Sequence, residues 1–156
     1  MFLNKHTFLG AMHAYKPGTY TIPEIRIGKL SLRDIEVRVL TQKPFPKDQM
    51  IVGFMGSAGK EPDNAGAEFQ PIDEDKIRGE KIGEIVAGYG AILSNGAVWG
   101  VPYFPLRGAY RRGGYTMAIS PFPDEVSHLK RNPLKHIDLI IYVGIDCPID
   151  AKFILY

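Results

Sequence analysis

Cysteine is almost absent from this chain: Cys147 is the single one in 156 residues. No internal disulfide can form, and such a chain fits a reducing compartment. In "GIDCPID" no histidine stands beside Cys147, so it reads as a buried or incidental thiol and not as a nucleophile. A charge of one sign is also missing. The net charge of +2 is too small to argue for nucleic acid or an acidic membrane surface as partner. No apolar run reaches the ~18 residues that span a bilayer. The N-terminal "MFLNKHTFLGAMHAYKPG" lacks the continuous apolar centre of a signal peptide. These absences leave no nucleic acid and no membrane as expected partner, and the cytoplasm as the expected compartment. Repeats and low-complexity tracts are missing too, and the aromatic residues are scattered, with no base-stacking platform in view. His128 and His136 flank the basic loop "LKRNPLK" without a neighbour at ligand spacing, so no metal is expected.

What is present suits a globular protein. Hydrophobic residues make up 45% and charged residues 23%, enough for one core in a chain of this length. Met1 to Met50 holds eight Lys/Arg against four Asp/Glu, and the rest is slightly acidic. A solvated basic surface explains that asymmetry best.

Two regions meet near Met50. In "TYTIPEIRIGKLSLRDIEVRVLTQ" the residues Ile25, Ile27, Leu30, Leu32, Ile35, Val37 and Val39 recur largely at two-residue spacing. That alternation predicts two or three antiparallel strands with breaks at "GK" and "RD". The linker "TQKPFPKDQ" follows, its prolines incompatible with a ladder. Residues 1–48 therefore form a small antiparallel β appendage with its linker, and 49–156 a second unit. There the pattern becomes strand, loop, helix. "MIVGFMG" reads as a strand buried on both faces. "SAGKEPDNAGAEFQP" is a punctuated loop. "IDEDKIRGEKIGEIVAGYG" is a helix with acids in its first turn, with Ile77, Ile82, Ile85 and Val86 marking one face. Strands "AILS", "YTMAISP" and "HIDLIIYVG" complete an α/β fold: a Rossmann-like parallel sheet with flanking helices. Such a sheet of four strands leaves an apolar edge, to be covered by the N-terminal strands, by "AKFILY" or by a second subunit.

Two glycine turns follow strands, Gly56-Ser57-Ala58-Gly59 and Ser94-Asn95-Gly96-Ala97-Val98-Trp99-Gly100. Turn glycines let backbone amides approach a phosphate, and a following helix adds its positive end. Ser57 and Ser94 carry hydroxyls suited to the same anion. Neither turn has the G-x-x-x-x-G-K-[ST] spacing, and an ordinary tight turn accounts for each by itself. Candidate ligand-binding residues are Gly56, Ser57, Ala58, Ser94, Asn95, Gly96, Gly100 and Val101; none is assigned a catalytic role. Arg107, Arg111 and Arg112 read as a solvated helix face before an anion clamp. Pro105 is expected to delay or kink its helix.

The longer pattern resembles a known family. "IVGFMGSAG", "AILSNGAVWGV", "RGAYRRGGYTMAISP" and "NPLKHIDLIIYVG" follow in the order of the LOG (Lonely Guy) family, also described as lysine decarboxylase-like, and especially its molybdenum-cofactor carrier-like branch. A typical member reads "L-x-x-GGG-x-GGVM-x-A-x-x-x-GA-x-x-x-GG-x-x-IGILP". Gly96, Gly100, Val101, Gly108, Ala109, Gly113, Gly114, Ile119 and Pro121 fall on that frame without a gap. The likeness runs from Met50 to Ile145. It implies a Rossmann-like fold, a nucleotide or molybdenum cofactor as the phosphate-bearing ligand, and a homo-oligomer.

Active members of that family hydrolyse the N-glycosidic bond of nucleoside 5′-monophosphates, using an arginine and a glutamate from "PGGxGTxxE". The chain departs from this. The glutamate motif is missing, as if the sequence stopped short of it. "IDAK" stands where the family often has Arg-Asn, and Asn95, Ala97 and Trp99 replace turn glycines. Three readings stay open: a ligand-binding protein without turnover; a phosphoribohydrolase whose second half lies elsewhere; and an interaction module whose pocket Trp99 fills.

Overall fold

The computed structural model of this chain describes residues 16–27, 30–46, 48–59 and 72–144. Cys147, "IDAK", "AKFILY", the N-terminal stretch to Tyr15, the expected break at "GK" and most of "SAGKEPDNAGAEFQP" lie outside the described residues. The elements run β1 (Gly18–Ile27), β2 (Leu30–Val39), β3 (Ile51–Gly53), α1 (Asp73–Gly88), β4 (Ile92–Asn95), α2 (Tyr103–Arg111), β5 (Thr116–Ser120), α3 (Glu125–Leu129) and β6 (Leu139–Tyr142).

The six strands form one sheet in the order β1-β2-β6-β5-β4-β3. β3 to β6 are mutually parallel. The β1–β2 hairpin is antiparallel and joins the outer edge of β6, with Val37 opposite Ile141 and Val39 opposite Leu139. The β6 edge of the parallel sheet is thus covered by the chain's own N-terminal strands, which continue the sheet, and β3 forms its other edge. At "RD" the expected turn is a kink within one strand. Asp34 takes φ 51° opposite Pro23, and neither pairs in the ladder. The kink reverses the alternation, so that Leu32 and Ile35 are both buried.

β3, β4, β5 and β6 step across the sheet in chain order. Crossovers of one hand that step in one direction place their helices on one face, and the packing agrees: α1 and α2 contact β4. Leu106, Ala109, Val86 and Ala87 share one apolar cluster with Leu93, Ala118 and Ile140, while α3 reaches the same face through His128 against Tyr142. Among the four parallel strands the order never reverses, so no switch point between them marks the ligand site. The loops at the carboxyl ends of β3, β4 and β5 gather without one.

Of the apolar positions expected to mark one face of α1, only Val86 packs toward the sheet. Ile77, Ile82 and Ile85 are exposed, and Val86 is half-buried. The reason is how α1 meets α2. A β-carbon on Gly83 would overlap the Pro105 carbonyl, one on Gly108 the Glu80 carbonyl, and one on Gly79 would lie 2.9 Å from the Phe104 β-carbon. Glycines bring the two helices into backbone contact, and the isoleucines turn outward. α2 begins at Tyr103, directly after Pro102. Pro105 falls in its first turn, where a missing amide costs nothing, and does not delay the helix.

Candidate ligand-binding site

The two glycine turns are joined. Ala58 and Gly100 form an isolated antiparallel bridge. Gly59 N–H donates to Trp99 O at 2.7 Å, and Val101 N–H donates to Ser57 O at 3.1 Å. Gly100 is required for this: its φ is +104°, and a β-carbon would overlap Ser57 O. Gly96 is in ordinary surroundings, its nearest neighbour 3.8 Å from a built β-carbon.

Asn95 shapes the second turn from inside. It is fully buried; its Nδ2 donates to Pro102 O at 2.8 Å and its Oδ1 accepts from Ala97 N–H at 2.8 Å. The second bond holds Ala97 at φ 52°, a left-handed conformation that glycine would take without help. Side-chain bonding from Asn95 thus holds alanine in a turn conformation that otherwise favours glycine. Ser94 is also fully buried, its Oγ without a partner among the described residues. Gly56, Ser57 and Ala58 are exposed, Gly96 and Val101 half-buried and Gly100 buried.

Beside the joined turns lies a cavity of about 1080 Å³. One wall comes from the turns, through Ala58, Gly59, Val98 and Trp99; a second comes from Pro121, Phe122 and Leu129, after β5 and on α3. The third is the loop Lys130–Lys135, which brings Lys130, Arg131 and Lys135 to the cavity. Of the eight candidate residues, Ala58 lines it; Asn95, Gly100 and Val101 support the turn behind it. Trp99 leans on Tyr103 with ring centroids 4.7 Å apart, and Tyr103 on Phe104 at 5.6 Å. Trp99 therefore belongs to an aromatic cluster and to the wall, and the cavity stays open beside it. The loop cations were visible as the basic run "LKRNPLK", but nothing in the sequence placed that run in one cavity with Trp99.

The loop is fixed by a buried polar chain. His128 is fully buried. Its Nε2 lies 3.2 Å from Pro133 O and its Nδ1 2.9 Å from Ser120 Oγ. A carbonyl only accepts, so Nε2 carries the proton and Nδ1 accepts from the serine hydroxyl. Burial depresses the His128 pKa below its ordinary value, against the opposing pull of the Pro133 bond and of Glu125. His136 stands outside the cavity, between the rings of Tyr103 and Tyr110 at 5.7 and 5.4 Å. Burial and then the charges of Arg111, Arg107 and Lys135 depress its pKa too. Arg107 and Arg111 pair with Glu80 across the α1–α2 contact, Arg111 at 3.5 Å; they bind the helices together. Arg112 reaches a smaller hollow of about 380 Å³ at the opposite end of the strands. Among the described residues no three His, Cys, Asp or Glu side chains gather as a metal site, and no helix is long and apolar enough to cross a membrane.

A mixed α/β sheet with its loops gathered over a wide cavity at the carboxyl ends of its parallel strands defines a Rossmann-type protein. The model of the SLOG cluster4 family matches residues 49–151, and the chain belongs to that family. No curated protein matches it. Among solved structures it is similar to the molybdenum cofactor carrier protein of Chlamydomonas reinhardtii, with 25% identity and a TM-score of 0.46 over 62% of this chain and 51% of that one. It is also similar to the molybdenum cofactor binding protein of the phototrophic bacterium Rippkaea orientalis, with 25% identity and a TM-score of 0.49 over 64% and 53%. The chain thus spans about half the length of these structures.

Proposed function

We propose that the chain binds a small phosphate-bearing ligand, a nucleotide or a molybdenum-cofactor-type pterin, in the cavity over β3, β4 and β5, and holds it without turning it over. The observation that carries this reading is the cavity itself. About 1080 Å³ accommodates a ligand of that size, and its lining combines the aromatic residues Trp99 and Phe122 with the basic residues Lys130, Arg131 and Lys135. The sequence resemblance to the carrier-like branch supplies the two ligand types. The apolar and basic lining of the cavity suits the holding of an anionic ligand. A homo-oligomer belongs to the same reading. Ile77, Ile82, Ile85 and Tyr89 lie exposed on one side of α1, a surface suited to a second copy.

Thermal shift with nucleoside mono-, di- and triphosphates and a phosphorylated pterin tests the binding. A ligand at hundredfold excess over its Kd stabilises by ~2.7 kcal/mol. Val98→Trp, which fills the cavity from its wall, should abolish the shift. A shift that survives this substitution would place binding elsewhere, and no shift with any ligand would end the reading.

A further inference from the structure

We propose that the anionic group of the ligand is bound by the side chains of Lys130, Arg131 and Lys135, and not at the entrance of α2, with the planar ring of the ligand lying against Trp99. This rests on the binding reading above and adds which end of the ligand goes where.

The first observation concerns donors. A phosphate over a glycine turn needs free amides at the start of the following helix. Here they are spent. Val101 N–H is on Ser57 O at 3.1 Å and Gly59 N–H on Trp99 O at 2.7 Å. Tyr103 and Phe104 turn back to Gly100 O and Val101 O at 3.3 and 3.4 Å. Pro102 and Pro105 have no N–H to give. The bridge that makes the turns rigid also closes the entrance of α2 to an anion.

The second observation concerns cations. Lys130, Arg131 and Lys135 are exposed at the cavity. The ion pairs of the described residues draw on Arg33, Arg38, Lys43, Lys76, Arg78, Lys81, Arg107 and Arg111, and on none of these three. They sit on a loop held from within. His128 O accepts from Arg131 N–H at 3.1 Å and Asn132 N–H at 3.0 Å, and the His128 ring bridges Ser120 to Pro133. A backbone fixed before the ligand arrives lowers the entropic cost of binding it. Trp99, packed on Tyr103, lines the same cavity, and its ring is an apolar surface suited to a heterocycle. A phosphate attached to a planar ring matches both walls at once.

Trp99 is the only tryptophan, so its fluorescence reports occupancy directly. The experiment titrates the wild type and the Lys130→Ala/Arg131→Ala/Lys135→Ala variant with the four nucleoside monophosphates and a phosphorylated pterin, each beside its dephosphorylated form. The three side chains are exposed, so the variant should fold. In the wild type a phosphorylated probe should quench Trp99 with a Kd at least about tenfold tighter than its dephosphorylated form. That preference should weaken as salt rises. In the triple variant it should vanish, while the dephosphorylated form binds as before. A triple variant that keeps the preference, or a wild type that has none, overturns the assignment and leaves the cavity reading standing. No response of Trp99 to any probe overturns both.

Discussion

Gly83 and Pro105 meet backbone to backbone: a β-carbon on Gly83 would overlap the Pro105 carbonyl oxygen. The contact decides how α1 lies on α2, and with it the direction in which the isoleucines of α1 point. Gly83→Ala must push the helices apart or strain both. A loss of about 3 kcal/mol in urea-induced unfolding is expected. Gly88, where nothing lies within 4 Å of a built β-carbon, is the control: Gly88→Ala should be neutral or slightly stabilising because alanine favours helix.

Gly100 is the corresponding point for the cavity. Its φ of +104° and its closeness to Ser57 O leave no room for a side chain. Gly100→Ala is expected to cost about 3 kcal/mol and to part the two turns. Gly96→Ala, in open surroundings, should stay within about 0.5 kcal/mol of wild type. Equal effects at the two positions would mean that the bridge between the turns is not what makes them rigid.

Stability should fall on mild acidification. His128 and His136 both have pKa values depressed in the folded chain, chiefly by burial. The unfolded chain, with histidine near ~6.5, then binds more protons than the folded one, so unfolding free energy rises with pH through this region. The contribution is fully present above the unfolded value and is lost as pH falls below it. Between about pH 7.5 and about pH 5 the ordinary carboxylates stay ionised, which isolates the histidines. Denaturant titrations across that range should show the decline, and His136→Gln should remove only its own share. A flat profile would contradict the buried neutral state of His128.

Lys43 and Asp138 form a clasp at the opposite end of the strands from the cavity. The fully buried Asp138 accepts from Lys43 Nζ at 3.2 Å, Thr116 N–H at 3.0 Å and Thr116 Oγ1 at 3.1 Å. Lys43 also donates to Gly114 O at 3.1 Å and lies 4.6 Å from the centre of the Tyr110 ring. Lys43→Met would leave a buried charge without its cation. Because the Lys43 side chain is 37% exposed, the expected loss is about 2 kcal/mol, below that of a fully buried pair. Adding Asp138→Asn should recover part of it. A double-mutant cycle with no coupling would reduce the clasp to a surface pair.

Period and punctuation made the element order legible in the sequence. The apolar runs "AILS", "YTMAIS" and "DLIIY" marked β4, β5 and β6 because strands buried on both faces need uninterrupted hydrophobic residues. "MIVG" also marked a strand, but β3 lies at the edge of the sheet with Ile51 and Val52 half-buried and Gly53 exposed, so the expected burial on both faces does not occur there. The alternation before Val39 marked the hairpin, and the glycine frame from Gly96 to Pro121 carried the family. The tertiary structure decided what a one-dimensional pattern cannot hold. Glycines brought α1 against α2, which overrode the apolar spacing of Ile77, Ile82 and Ile85. The N-terminal hairpin found its place on β6 because an open sheet edge has unpaired amides and carbonyls to satisfy. The turn residues Ser57 and Val101, far apart in the chain, spent their polar groups on each other. The basic loop after α3 came to line one cavity with Trp99 only once the parallel strands set their carboxyl ends side by side. Hydrogen-bond partners and cavity walls are relations between distant residues, and only the fold creates them.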